Sequence, residues 1–229
     1  MQRRAENALV FMVKWPEPGR AKTRLSPPLS PAAAANLARA FLLDTLAEAA
    51  RADADRWLAF APAAAASSFR SLVGRGIGLI EAETADLGGA LDRAQRAALA
   101  TGYRRVALIA ADLPHLDAGR YADAFAALSR ADVAVGPSSD GGYYLLAAEQ
   151  PTPSLFEGVT WGTASVYQET LQRAGESSLS IAEIATCDDV DIAPDLVWLF
   201  DALCRRPGAG HTLALLAQCP VLQEGVAAD

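Results

Sequence analysis

Short apolar runs alternate with stretches of helical periodicity along most of the chain. Residues 8–14 (ALVFMVK) form a continuous apolar run closed by Pro16, Pro18 and Gly19, which predicts a strand buried on both faces. Pro31 then opens an Ala/Leu-rich stretch, 32–52, with Leu37, Phe41 and Leu46 near helical spacing. Proline suits a first helical turn, where the N–H has no partner within the helix. The alternation returns as a strand at 57–61, a short helix at 67–73, a strand at 77–82, a helix at 87–101 and a strand at 106–110. Residues 117–129 predict a further helix, and 132–136 and 143–148 predict two strands about the turn at 138–142. Helices are predicted at 163–174 and 194–204 around a weak strand at 179–184.

This alternation predicts an α/β fold, with a mostly parallel sheet, helices on both faces, and ligands bound beyond the carboxyl ends of the strands. A chain of 229 residues is long enough to bury a core as one domain. The stretch from about 207 to 229 is expected to be a C-terminal extension with a frayed end after Pro220.

Composition narrows the function more than the fold. The formal net charge of -7 repels nucleic acid and anionic lipid, so a polynucleotide partner is not expected and any phosphate site must be a local basic cluster. The apolar run at 8–13 is far too short for a signal segment or a membrane span, so a cytoplasmic protein without membrane association is expected. Cys187, Cys204 and Cys219 show no C-x-x-C spacing, and His115 and His211 are the only histidines. A zinc site or a Cys/His nucleophile is therefore not expected. Cys204, in an apolar helical stretch, reads as a small buried hydrophobe.

Three segments beyond strand ends carry candidate chemistry. The first, KWPEPGRAKTRL at 14–25, directly follows the first strand. Gly19 lets the backbone approach an anion, and Arg20, Lys22 and Arg24 can neutralise a diphosphate or triphosphate. The spacing is neither a Walker loop nor a Rossmann fingerprint, so by spacing alone a solvated turn fits equally well. Lys14 stands apart, because it ends an otherwise apolar strand. In the second, LIAADLPHL at 108–116, a buried strand delivers Asp112 to its carboxyl end and Pro114 turns the chain away. Magnesium takes hard oxygen ligands, often one or two carboxylates completed by substrate phosphates and water. Asp112 is therefore a candidate metal ligand, and its competing role is to cap the helix that follows. His115 reads as a surface loop residue without a catalytic role.

The third segment is GPSSDGGYY at 136–144, where Asp140, Gly141 and Gly142 can offer a carboxylate and backbone N–H groups to an acceptor. A plain hairpin turn is the alternative, and spacing alone favours it. Asp188, Asp189, Asp191 and Asp195 cluster ahead of a helix. Asp195 suits the helix N-terminus, and Asp191 is the candidate second metal carboxylate. Thr163 can cap a helix after Trp161, a core or lid aromatic. Asp86, Leu87, Gly88 and Gly89 either admit a nucleotide close to the backbone or simply lead into a helix.

Six segments in order resemble one family: KWPEPGRAKTRL (14–25), DLG (86–88), DLPHL (112–116), GPSSDGGYYLL (136–146), WGTASV (161–166) and DVDIAPDL (189–196). The family is a group of bacterial transferases first defined as a domain of unknown function, DUF2064, and described as glycosyltransferase-like, in part linked to arsenosugar biosynthesis. The resemblance spans most of the chain. It implies the nucleotide-diphospho-sugar transferase superfamily, with a GT-A-like three-layer α/β/α sandwich around a mixed, mainly parallel sheet. The run from Lys22 to Leu25 is also similar to the nucleotide loop of phospholactate guanylyltransferase. Asp191 falls in a stretch resembling the late Asp-Thr-Pro-Glu-Asp-Leu segment of sugar-acid cytidylyltransferases, which holds a metal ligand. Departures from the family pattern are Ala110 and Ala111 before Asp112, Gly89 and Ala90 after Gly88, and Ile192, Ala193 and Pro194 after Asp191.

With the residue readings, the resemblance implies that Lys14, Gly19, Arg20, Lys22, Thr23, Arg24, Asp86 and Gly88 bind a nucleotide or nucleotide-sugar. Asp112 and Asp191 would hold Mg²⁺ or Mn²⁺. Asp140, Gly141, Gly142, Trp161 and Thr163 would bind a small acceptor, with Asp112, Lys22 and Asp140 catalytic. The expected reaction is sugar transfer from an NDP-sugar, with diphosphate charge stabilised as it leaves. Nucleotidyl transfer to a phosphorylated acceptor needs the same residues. Ala110 favours it, because Asp112 then lacks the first acid of an Asp-x-Asp pair. A nucleotide-binding module without turnover is the third reading.

Overall fold

The computed structural model describes residues 5–206, 208–219 and 222. In chain order its elements are β1 (Asn7–Lys14), α1 (Pro31–Ala49), β2 (Asp55–Ala61), α2 (Ala66–Val73), β3 (Gly78–Glu81), α3 (Leu87–Ala100) and β4 (Arg105–Ala110). There follow α4 (Gly119–Ala127), β5 (Val133–Pro137), β6 (Tyr143–Ala148), α5 (Val166–Glu176), β7 (Ile181–Glu183), α6 (Asp195–Cys204) and α7 (Gly210–Leu216). The contacts divide the chain into two compact units. The first comprises Met1–Lys14, Ala49–Ala110 and Ala118–Asp188, and the second Trp15–Glu48, Ala111–Asp117 and Asp189–Asp229.

The first unit holds the whole seven-stranded sheet, in the order β3-β2-β1-β4-β6-β5-β7. β1 pairs in parallel with β2 and β4, β2 with β3, and β5 with β7. Only β6 runs against its neighbours, through antiparallel ladders to β4 and β5. The sheet is thus mixed and mainly parallel, as the sequence predicts.

Side chains alternate across a strand, and here each alternate set meets a helix. Ala8 and Val10 of β1 join Leu91, Ala94 and Ala98 of α3 in one buried cluster. On the other parity, Phe11 meets Tyr121 of α4 edge-on at 6.2 Å, and Phe60 of β2 meets Phe69 of α2 at 5.5 Å. Cover on both faces is why these strands read as continuous apolar runs. Each fully buried Leu or Phe contributes about 1.5–3 kcal/mol. Beside this core, Trp57 Nε1 donates to the Tyr103 hydroxyl at 3.1 Å, which donates to Asp55 at 2.8 Å, so the buried polar atoms stay paired.

The second unit has its own core. Leu37 and Phe41 of α1 pack with Leu196, Leu199 and Leu203 of α6, with Leu216 of α7, and with Leu25 and Val190. The leucines of α6 lie at i, i+3 and i+7, a single helical stripe. Cys204 follows Leu203 and is turned about 100° off that stripe. It is exposed, contrary to its expected burial.

Helix α7, inside the expected C-terminal extension, has no signal in its own Gly-His-Thr start. Its first turn is capped from α1: Asp44, 2% exposed, accepts the N–H groups of His211 at 3.3 Å and Thr212 at 2.6 Å. Asp44→Ala leaves these two donors unpaired, and is expected to destabilise this unit by about 1–3 kcal/mol. Equilibrium urea unfolding followed by circular dichroism measures it, and an unchanged midpoint would refute the capping role. Pro207, Pro220 and most of the predicted frayed end lie outside the described residues.

Two boundaries move for local reasons. Helix α5 starts at Val166 rather than 163, because Gly162 takes φ +81° and the Thr163 hydroxyl donates to the Thr160 carbonyl at 2.7 Å. Helix α1 stops at Ala49, three residues before the predicted end.

Candidate functional site

The basic loop after β1 is held at both ends within the second unit. At its start, Arg39 of α1 donates from Nη2 to the Pro16 carbonyl at 2.8 Å, and its guanidinium lies 5.3 Å from the Trp15 ring centre. At its end, Leu25 is fully buried in the α1–α6 cluster. Between these anchors Gly19 has φ +77°, and the Glu17 carbonyl accepts the N–H groups of Arg20 and Ala21 at 3.0 and 3.1 Å. Lys22 precedes the short 3-10 turn Thr23–Leu25 with φ 45° and ψ 45°. A left-handed conformation at a non-glycine residue costs roughly 1–2 kcal/mol. Such strain persists only where the surroundings over-determine it.

The surroundings of Lys22 do so. Its Nζ lies 2.6 Å from Asp112 Oδ2 and 3.4 Å from Asp191 Oδ1, and donates to the Val190 carbonyl at 2.8 Å. The side chain is 10% exposed, and its ammonium sits 5.9 Å from the Phe41 ring centre. Burial, the largest single influence, pushes its pKa down. The attraction of Asp112, Asp191 and Asp189, with the Asp112 hydrogen bond, outweighs it and holds the ammonium above the ordinary lysine value. Arg24, far more exposed, reaches the other oxygen of Asp191 at 3.3 Å.

Asp112 lies in an irregular segment that no ladder positions. The Thr45 hydroxyl of α1 accepts the Leu113 N–H at 3.1 Å. Arg206 donates to the His115 and Leu116 carbonyls and pairs with Glu48 and Asp117. His115 is half-buried rather than at the surface, its ring edge-on to Trp198 at 5.0 Å. Asp191 is set by Asp195, whose Oδ2 accepts the N–H groups of Asp191 and Ile192 at 2.8 Å each. Asp195 stands in the first turn of α6, as expected, but it caps no helix N–H; Pro194 is the N-cap, without a side-chain bond, and the Asp195 carboxylate reaches back to the loop instead. The competing cap role for Asp112 is not what forms: α4 follows Ala118, with no side-chain cap bond.

The structure therefore brings together Lys22, Arg24, Asp112 and Asp191 out of the predicted set. Arg20 does not join them; it is exposed and pairs with Glu17 at 3.4 Å within the loop. Thr23 is exposed in the 3-10 turn and Lys14 is exposed at the end of β1. Thr45, Arg39 and Arg206 are supporting residues that the sequence reading missed. Arg206 lies 91 residues beyond its His115 contact, so no local pattern flags it.

The remaining candidates lie in the first unit. Asp86 caps α3, accepting the Gly89 N–H at 2.8 Å. A Cβ on Gly88 would sit 2.5 Å from the Phe156 carbonyl oxygen and 2.8 Å from Trp161 Nε1. Close packing is the reason glycine stands there. Asp140 closes the β5–β6 hairpin, its Oδ1 accepting the Ser138 hydroxyl and, at 2.9 Å, the Gly142 N–H. Gly141, at φ +89°, packs against the backbone of Ala164, and its carbonyl accepts the Tyr167 N–H at 2.9 Å. The hairpin thus docks on the loop carrying Trp161 and Thr163. Glu169 of α5 braces that loop, accepting the Thr160 N–H at 2.8 Å and the Ser165 hydroxyl at 2.6 Å.

Among the described residues, no three or more His, Cys, Asp or Glu side chains gather as a metal cage. Nor is any helix among them long and apolar enough to cross a membrane. Two carboxylates sharing an ammonium, with a second cation at hand, make an arrangement suited to phosphate and to a hard cation that brings its other oxygens with it.

Residues 43–163 match the family model described as an uncharacterized protein conserved in bacteria, DUF2064. The chain is 32% identical over 179 residues to the 2-phospho-L-lactate guanylyltransferase of Methanothermobacter thermautotrophicus, a match covering 77% of each chain. Its structure is similar to that of a candidate nucleotide-diphospho-sugar transferase from Desulfovibrio desulfuricans G20. The TM-score is 0.85 at 32% identity, across 98% of this chain and 96% of the other. The manganese complex of a Mycobacterium tuberculosis H37Rv protein shares the fold, with a TM-score of 0.50 at 17% identity over 84% and 97% of the two chains.

Proposed function

Because the chain belongs to the DUF2064 family and is a transferase, we propose that it transfers a nucleotidyl group from an NTP to a small phosphorylated acceptor. The observation that carries this is the convergence of Lys22 and Arg24 with Asp112 and Asp191. An acceptor phosphate oxygen bonds to the α-phosphorus as the bond to the β-phosphate bridging oxygen breaks, and pyrophosphate leaves with the electron pair. This chemistry depends mostly on positioning and charge neutralisation. Lys22 and Arg24 bind phosphate oxygens and hold the triphosphate in line. For the acceptor, Asp140, Gly141, Gly142, Trp161 and Thr163 stay the candidates that the family resemblance implies.

Asp112 and Asp191 are the residues that would hold Mg²⁺ or Mn²⁺. Both are hard carboxylates, each more than a third exposed, and both already converge on one cationic centre. A bound divalent cation would neutralise charge on the departing phosphates. The manganese complex of the mycobacterial fold neighbour supports this choice of metal.

The guanylyltransferase name of the Methanothermobacter relative, and Ala110 in place of a first acid, put nucleotidyl transfer ahead of sugar transfer. The description of the Desulfovibrio protein favours sugar transfer as the second reading. A thermal-shift screen against NTPs and NDP-sugars, with and without Mg²⁺, separates the two. A ligand of the native state at 100 times its Kd adds about 2.7 kcal/mol of apparent stability. A Mg²⁺-dependent rise in Tm confined to NTPs is expected. A rise confined to NDP-sugars would favour sugar transfer, and no rise with either would remove the nucleotide site.

A further inference from the structure

We propose that Lys22 is an internal counter-ion that reserves Asp112 and Asp191 for a metal–nucleotide chelate, so that the free divalent cation is held weakly and the chelate tightly. This rests on the nucleotidyltransferase reading and adds the form in which its substrate is taken. The Lys22 ammonium is already 2.6 Å from one carboxylate and 3.4 Å from the other. The Val190 carbonyl gives it a third partner at 2.8 Å, and a left-handed backbone aims it there. Arg24 covers the second oxygen of Asp191. A bare dication approaching these two carboxylates therefore finds each already paired with a cation, and meets a buried ammonium at close range, where like charges repel strongly.

The chelate changes both terms. Its phosphate oxygens are new anionic partners for Lys22 and Arg24, so neither cation is stranded when Asp112 and Asp191 turn to the metal. Metal and nucleotide then bind with positive coupling, each raising the affinity for the other by one shared factor. Lys22 is the element that couples them, since its partners differ between the free and loaded site.

Mn²⁺ binding tests this without turnover. The free-ion electron paramagnetic resonance signal is titrated with wild-type protein, Lys22→Met and Arg24→Met in the absence of nucleotide. Water proton relaxation then reads binding of the Mn²⁺ chelates of the four common NTPs. Lys22→Met is expected to bind Mn²⁺ alone at least about tenfold more tightly than wild type, and the best chelate at least about tenfold more weakly. Arg24→Met, at an exposed pair, is expected to change Mn²⁺ affinity less than about threefold. Lys22→Gly, which accepts the φ of this position freely, gives the same reading should the Met variant fail to fold. Equal Mn²⁺ affinity in wild type and both Lys22 variants, with the chelate still bound by wild type, would overturn the counter-ion role alone. No chelate binding by folded wild type would overturn the nucleotidyltransferase reading as well.

Discussion

Asp112→Asn is expected to lower turnover by about 10²- to 10³-fold, the scale of losing one preorganised electrostatic contact to a transition state. The substitution keeps the size and the hydrogen-bonding shape of the side chain while removing the charge that Lys22 contacts at 2.6 Å. Nucleotide affinity measured by calorimetry in Mg²⁺ is expected to fall with it, whereas affinity without metal should change little. The stability cost is smaller, because Asp191 and the Val190 carbonyl still face the ammonium. About 1–2 kcal/mol is expected after allowing for solvent screening at a carboxylate 38% exposed. A folded Asp112→Asn protein with full turnover on the wild-type acceptor would remove Asp112 from the site.

Lys22→Gly is expected to separate the backbone from the ammonium at the same position. Glycine takes φ 45° without a Cβ penalty, which recovers roughly 1 kcal/mol of strain. Loss of the ion pairs opposes that, so a small net change in Tm is expected at neutral pH, together with a 10²- to 10³-fold loss of turnover, on the order of one lost charge contact. The pH dependence has a definite sign. The folded pKa of Lys22 lies above its ordinary value of 10.5, so its contribution to stability is fully present below about that pH. It is lost only as pH rises through the still higher folded value. Wild type minus Lys22→Gly stability is therefore expected to be flat from pH 6 to 9 and to decline above about pH 10.5. A decline starting near neutrality would contradict the paired ammonium.

Much of the fold was legible because its signals are local. The run at 8–14, the helical spacing of Leu37, Phe41 and Leu46, and the Ser138–Gly142 turn are each contained in a few residues. They became β1, α1 and the β5–β6 hairpin. Helix α7 escaped because its cap is Asp44, far away in sequence, and a Gly-Ala-Gly-His start carries no cap of its own. Cys204 is exposed against expectation because an apolar stretch gives the helix but not which residue sits off its buried stripe.

The site was legible in its residue types and less so in its membership. Six ordered segments pointed to Lys22, Arg24, Asp112 and Asp191, and these four do meet. Arg20 carries the same charge in the same loop and turns back on Glu17. Asp86 and Gly88, nucleotide candidates from the sequence, make a cap bond and a close packing contact in the first unit.

The sequence by itself determined the order and type of the main elements and the presence of a basic loop after the first strand. It also determined an acidic residue just past β4. Periodicity and strand-end chemistry are properties of neighbouring residues, and local sterics and burial enforce them wherever the chain goes. Only the tertiary structure decided that one ammonium serves two carboxylates, the second 169 residues away. It alone set Arg206 to hold the segment that carries Asp112. The partners of a charge follow the path of the folded backbone, and its strength follows burial. Neither is encoded in the spacing of residues along the chain.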